Sequence, residues 1–135
     1  MTIKDAHGMI AGITPVLVPG DWVFCSTDAI TNIPADAMAV IREAEGTTLI
    51  LPDAKAQAAG YTCSAPLRQI TLQVLSDLEG VGLTAAVATA LAAEGIACNV
   101  VAAFHHDHIF VPKAQAEHAC DILRRVQQDA LHARP

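Results

Sequence analysis

At 135 residues the chain has room for one domain, or for two small units that share a core. A net charge of −6, no basic stripe and only 4% aromatic residues argue against nucleic acid and anionic membranes as partners. With 53% hydrophobic and 16% charged residues and a mean hydropathy of +0.39, the composition suits a packed core plus an interface. Apolar runs are broken well short of the ~20 residues that a membrane span needs. No export signal is read, because Lys4 and Asp5 are followed by glycines and prolines rather than an apolar block. Cys25, Cys63, Cys98 and Cys120 stand singly, without a CxxC pair, which is the pattern of reduced, mostly buried thiols in a cytoplasmic protein.

Residues 1–12 hold two glycines and no periodicity, and are expected to be an N-terminal arm. Residues 13–18 form a short extended piece, closed by a turn at Pro19, Gly20 and Asp21, and residues 22–26 resume as a strand. A polar loop follows. Pro34 then opens a predicted helix with Ala37, Met38, Ile41 and Ala44 at helical spacing, stopped by Gly46. Residues 47–51 read as a strand, Pro52 and Asp53 start a short helix closed by Gly60, and residues 61–66 connect.

The second half reads with fewer gaps. Residues 68–76 alternate polar and apolar, with Ile70, Leu72 and Val74 on one strand face. After a two-glycine turn at residues 77–82, Leu83, Val87, Ala90 and Leu91 repeat at helical spacing until Glu94 and Gly95 stop the run. Residues 96–103 are β-branched and apolar, a buried strand. His105, His106 and Asp107 mark a turn into a strand at residues 108–111, ended by Pro112. The last helix puts Ala119, Ile122, Leu123 and Val126 on one face and a short tail follows from 131 to 135. Two helices on one face of such a sheet make an α/β sandwich of ferredoxin-like type. Trp22, Phe24, Phe104 and Phe110 are expected in the core.

A weak internal repeat pairs residues 49–58 with residues 109–116. On that basis the chain divides into a degenerate half, 13–66, and a complete half, 67–130. The first is read as lacking the strand equivalent to residues 96–103, which leaves an edge to be covered by the second half or by another chain.

Three stretches carry candidate chemistry. At Gly80, Val81 and Gly82 a strand meets a helix start, where free N–H groups and the helix dipole favour a carboxylate. Gly82, ahead of Leu83, would let a ligand approach the backbone, Thr84 offers a hydroxyl, and Asp77 and Glu79 could answer an ammonium; the alternative is a turn that merely needs glycine. Cys98, Asn99 and Val100 begin the neighbouring strand, where Asn99 would point away from the core, toward a ligand or simply toward solvent. His105, His106, Asp107 and His108 could hold zinc, although a tight turn splays its side chains and no cysteine lies at ligand spacing. No nucleophile motif is found and no catalytic residue, cofactor or metal is assigned.

Residues 79–87 followed by 94–100 resemble the ACT domain, a βαββαβ regulatory module. With residues 15–20, 41–52, 81–90 and 106–112 added, the chain from Thr14 to Val126 resembles small stand-alone bacterial proteins with two ACT-like units. The resemblance implies ferredoxin-like βαββα units in two copies, the first incomplete. It implies a regulatory module that binds a small metabolite of the amino-acid class, with the family's acidic residue, Gly and apolar helix falling on Glu79, Gly82 and Leu83. The family's frequent Pro before that Gly is Val81 here, and Ala97 replaces its polar residue after Gly-Ile. The expectation is therefore a non-enzymatic, cytoplasmic homodimer. The rival is a protein–protein interaction module without a metabolite, with metal binding at the histidine turn a distant third.

Overall fold

The computed structural model describes residues 5–28, 30–75 and 77–133. The expectations for residues 1–4, Ala29, Ser76 and residues 134–135 lie outside them. The elements in chain order are α1 (Ala6–Ala11), β1 (Pro15–Thr27), β2 (Ala39–Glu43), β3 (Gly46–Pro52), α2 (Asp53–Ala59), β4 (Thr62–Cys63), β5 (Leu67–Leu72), α3 (Leu83–Ala93), β6 (Asn99–Ala102), β7 (Asp107–Pro112) and α4 (Ala116–His132), the last preceded by a 3-10 turn at Lys113–Gln115. Among the described residues no helix is long and apolar enough to cross a membrane.

The chain divides into two compact units, Met1–Pro19 with Arg68–Pro135, and Gly20–Leu67. In the first, the strands run β1, β5, β7, β6, with β1 represented by its opening residues. Ile70 and Leu72 of β5 and Ile109 and Val111 of β7 alternate onto one face, as period 2 requires. They pack under Leu83, Val87 and Leu91 of α3 and Ala119, Ile122 and Leu123 of α4. Each helix thus buries its apolar stripe on the same sheet face, the sandwich expected from the sequence. Gly95 at φ +71 follows α3, in keeping with its role as a stop.

The stretch read as an N-terminal arm instead carries α1. Asp5 caps it by accepting from the Gly8 N–H at 2.7 Å, and Met9 and Ile13 are fully buried in the same core as α3 and α4. Two apolar side chains interspersed with Gly8 and Gly12 show no period in the sequence, yet they have a core to enter. The turn predicted at residues 19–21 falls inside β1, which is extended from Pro15 to Thr27 with Gly20 at φ +99.

In the second unit the order is β4, β1, β3, β2. The helix predicted from Pro34 is not formed. Residues 39–43 are β2, paired with β3 from Ala39↔Ile50 to Glu43↔Gly46 around a two-residue loop, Ala44 and Glu45. Val40 and Ile41 are β-branched and fit a strand better than a helix, and the apparent stripe is split, with Ala37 packed against the core and Ile41 48% exposed. Gly46 is the hairpin residue rather than a helix stop: at φ +149 it carries a conformation that disfavours side chains, and a Cβ there would lie 2.5 Å from the Thr27 carbonyl oxygen. Among the described residues the element missing from this half is therefore the helix after its first strand, not a strand, since β2 supplies that strand. Val23, Cys25, Leu49, Leu51 and Ala56 make its core. α2 closes at Gly60 as the sequence indicated, and the connector after it contributes the two-residue β4.

Candidate functional site

In the first unit the turn after β5 is built by Asp77. Its Oδ1 accepts from the Glu79 N–H at 2.8 Å, and its carbonyl accepts from the Gly80 N–H at 2.9 Å. The chain then enters α3 through Gly82, the N-cap, whose φ of +108 only glycine adopts readily. Ala86 donates to the Gly82 carbonyl, the first intrahelical bond. Glycine as N-cap brings no side chain to accept from the amides of Leu83, Thr84 and Ala85, so these N–H groups of the first turn depend on other acceptors.

Beside that helix start lies a cavity of about 370 Å³, lined by Asp77, Leu78, Gly80, Val81, Gly82, Leu83, Thr84 and Ala85. Met9 of α1 and the ladder partners Ala102 and Asp107 complete the lining. The β6–β7 hairpin brings Asp107, only 8% exposed, to the same wall as the helix start. One side of the cavity thus offers backbone N–H donors and the positive end of a helix dipole. Two acidic residues, Asp77 and Asp107, also line it. Leu78, Val81 and Phe104 lie exposed nearby, at 65%, 79% and 76%. Phe104 is therefore not core, because it sits on the hairpin tip, whereas Phe110 is fully buried.

Of the residues singled out from the sequence, Asp77, Gly80, Val81, Gly82, Leu83 and Thr84 meet at this cavity. Glu79 lies on a neighbouring depression with Asp77, Leu78 and Phe104. Cys98, Asn99 and Val100 do not line the cavity. Val100 and Cys98 pack against the core, where burial pushes the Cys98 thiol up. The Asn99 side-chain amide donates across its own hairpin to the Phe110 carbonyl at 3.2 Å, so it ties β6 to β7.

Met9, Leu78, Ala85, Ala102 and Asp107 escaped the sequence reading. The sequence presents Asp107 only as part of the histidine turn, and no local signal places it beside residues 77–84.

The histidines of that turn go separate ways. His105 meets Phe104 edge-on at 5.1 Å between ring centroids, and His106 Nδ1 lies 3.3 Å from the Val74 carbonyl. His108 Nδ1 lies 3.1 Å from both Gln69 Nε2 and Thr71 Oγ1. Burial lowers its pKa, helped by His106 and opposed by Asp107. Among the described residues no three His, Cys, Asp or Glu side chains converge on a metal position.

The fold has counterparts among known proteins. One ACT domain profile matches residues 2–68 and a second matches residues 64–125. A Vibrio cholerae protein of unknown function, described as a possible transport protein, is 42% identical, with a TM-score of 0.79 over 90% of this chain and 95% of that one. An Agrobacterium tumefaciens protein is 19% identical, with a TM-score of 0.70 over 84% and 87% of the two chains. The regulatory subunit of aspartate kinase from Thermus flavus shares the fold at 12% identity, with a TM-score of 0.61 over 83% and 95%. No curated protein matches. With both units carrying the same strand order and the two profiles spanning residues 2–125 between them, the chain belongs to the ACT domain family.

Proposed function

We propose that this protein is a regulatory module that binds a free amino acid in the cavity at the start of α3. One observation carries the reading: a helix N-terminus without a side-chain cap faces the same small cavity as Asp77 and Asp107. An α-amino acid has the complementary chemistry, its carboxylate accepting from the first-turn amides and its ammonium lying near the carboxylates. A volume of about 370 Å³ suits a small ligand of that class. The regulatory subunit of aspartate kinase, similar in fold, supports regulation as the purpose. The second unit has no counterpart site among its described residues, since no helix follows its first strand. We place the protein in the cytoplasm, which its four free cysteines favour. We take it to be a homodimer through the outer edge of β6, to be read by sedimentation velocity, where a monomer at all concentrations refutes it.

The test is a thermal-shift and calorimetric titration with the common amino acids, on the wild type and on Asp77→Asn. Asparagine keeps the acceptor for the Glu79 N–H and removes only the charge. A ligand at 100 times its dissociation constant should stabilise by about 2.7 kcal/mol, a shift of several degrees. Loss of a charged hydrogen bond of about 1.5–3 kcal/mol should weaken Asp77→Asn by roughly 10–100-fold. Equal affinity in the variant would refute the site. Silence of the wild type across the amino acids would refute the ligand class and favour an interaction module, to which the exposed Leu78, Val81 and Phe104 would belong.

A further inference from the structure

Outside this cavity, the described residues bring one pair of nucleophilic side chains together: Cys25 of β1 and Cys63 of β4. The two are ladder partners, with sulfurs 3.9 Å apart. Which kind of partner they are follows from the neighbouring hydrogen bonds. Ser64 N–H donates to the Phe24 carbonyl at 2.9 Å, so Phe24 and Ser64 occupy a hydrogen-bonded position of the antiparallel ladder. Positions alternate, which makes Cys25 and Cys63 a non-hydrogen-bonded pair. Such pairs hold their Cα atoms at about 4.5 Å with the side chains closer together, near the short end of the 4.4–6.8 Å that a disulfide tolerates. Rotation of the two thiols about χ1 would then bring the sulfurs into bonding distance without moving the strands.

We propose that Cys25 and Cys63 are a thiol pair that a peroxide converts into a reversible disulfide across β1 and β4. Their unequal surroundings set the order of events. Cys25 is 1% exposed, whereas Cys63 is half-buried and lines a shallow open depression with Phe24, Ser26, Thr62 and Ser64. Burial, the hydrogen bond and charge of Cys63, and Asp53 push the Cys25 thiol up to about 12. Cys63 is therefore the sulfur that meets the oxidant.

As a thiolate, Cys63 attacks one peroxide oxygen. The O–O bond breaks, the sulfur becomes a sulfenic acid, and the departing hydroxide takes the thiol proton to leave as water. Cys25 then attacks the Cys63 sulfur, the S–O bond breaks, and hydroxide leaves with the Cys25 proton as a second water. Two thiols and one peroxide give one disulfide and two waters, with two electrons passing from sulfur to oxygen. Because Cys63 is half-buried at an open depression, such a bridge stays within reach of a thiol reductant, the labile kind rather than the structural kind. Cys98, ahead of β6, and Cys120, on α4, have no second sulfur among their described contacts.

The reduced full-length protein is treated with one equivalent of hydrogen peroxide, and its thiols are counted in denaturant. The count should fall from four to two, with peptide mapping linking Cys25 to Cys63 and dithiothreitol restoring all four. In Cys25→Ser, the sulfenic acid has no resolving partner and dimedone should label Cys63; Cys63→Ser should keep its three remaining thiols. Should the buried Cys25→Ser variant not fold, the wild-type map decides alone. Four surviving thiols, a bridge involving Cys98 or Cys120, or a bridge between chains would each overturn the proposal.

Discussion

Replacing Gly82 with alanine perturbs two things that the structure separates. At φ +108 any side chain carries backbone strain of about 1–3 kcal/mol. The new Cβ would also lie 2.9 Å from the Ala6 Cβ of α1, well inside the roughly 3.5–4.0 Å of a carbon–carbon contact. Together these should destabilise Gly82→Ala by about 2–4 kcal/mol. Ala6→Gly removes the opposing methyl and, by itself, costs about 1 kcal/mol of helix propensity. Combined with Gly82→Ala it should recover about 1 kcal/mol relative to additivity, because the contact is relieved while the φ strain stays. Urea unfolding reads this directly, as shifts of the midpoint at constant slope. A Gly82→Ala protein within about 0.5 kcal/mol of the wild type would refute the backbone argument. An additive cycle would refute the contact with α1. It follows that a bulky residue at Gly82 reports on α1 docking as much as on any ligand, and that Asp77→Asn is the cleaner probe of the cavity.

Acid should weaken this fold in part through His108. Its folded pKa lies below the unfolded value, so the folded chain binds fewer protons and stability is lost as pH falls below about 6.5 toward the folded pKa. His108→Gln should flatten that loss when urea midpoints are compared between about pH 7.5 and 5.5, and an unchanged slope would assign the loss elsewhere. Asn99→Ala should cost about 0.5–1.5 kcal/mol of stability by removing the bond to the Phe110 carbonyl, while leaving amino-acid affinity unchanged. A tenfold weaker affinity in calorimetry would put Asn99 back in the site.

Where one residue's neighbours lie close in sequence, the fold was legible. β5, α3, β7 and α4 show their periods openly because each is half-buried against the same core, and the two-glycine turn announced the start of α3. The first half misled for a physical reason. Ala37, Met38, Ile41 and Ala44 match a helical stripe, but the pairing of β2 with β3 outweighs a spacing that alanines satisfy by default. Within the cavity Asp77 and the run from Gly80 to Thr84 could be read, whereas Met9 and Asp107 enter from distant segments that only tertiary packing brings there.

Both units use one spatial order of strands, in which the first and third are central and the second and fourth lie at the edges. They obtain the fourth strand differently. The second unit takes it from β4, which directly follows its own helix. The first unit takes it from the opening of β1, so residues 20–67 stand between its fourth strand and its first. α1, which precedes that strand, lends Met9 to the cavity wall and meets Gly82 at the start of α3. A chain cut before β5 would keep α3, β6, β7 and α4 but leave the β5 edge open and the cavity without α1. The candidate site is thus a property of both ends of the chain, and a reading that proceeds from one end to the other meets its parts more than sixty residues apart.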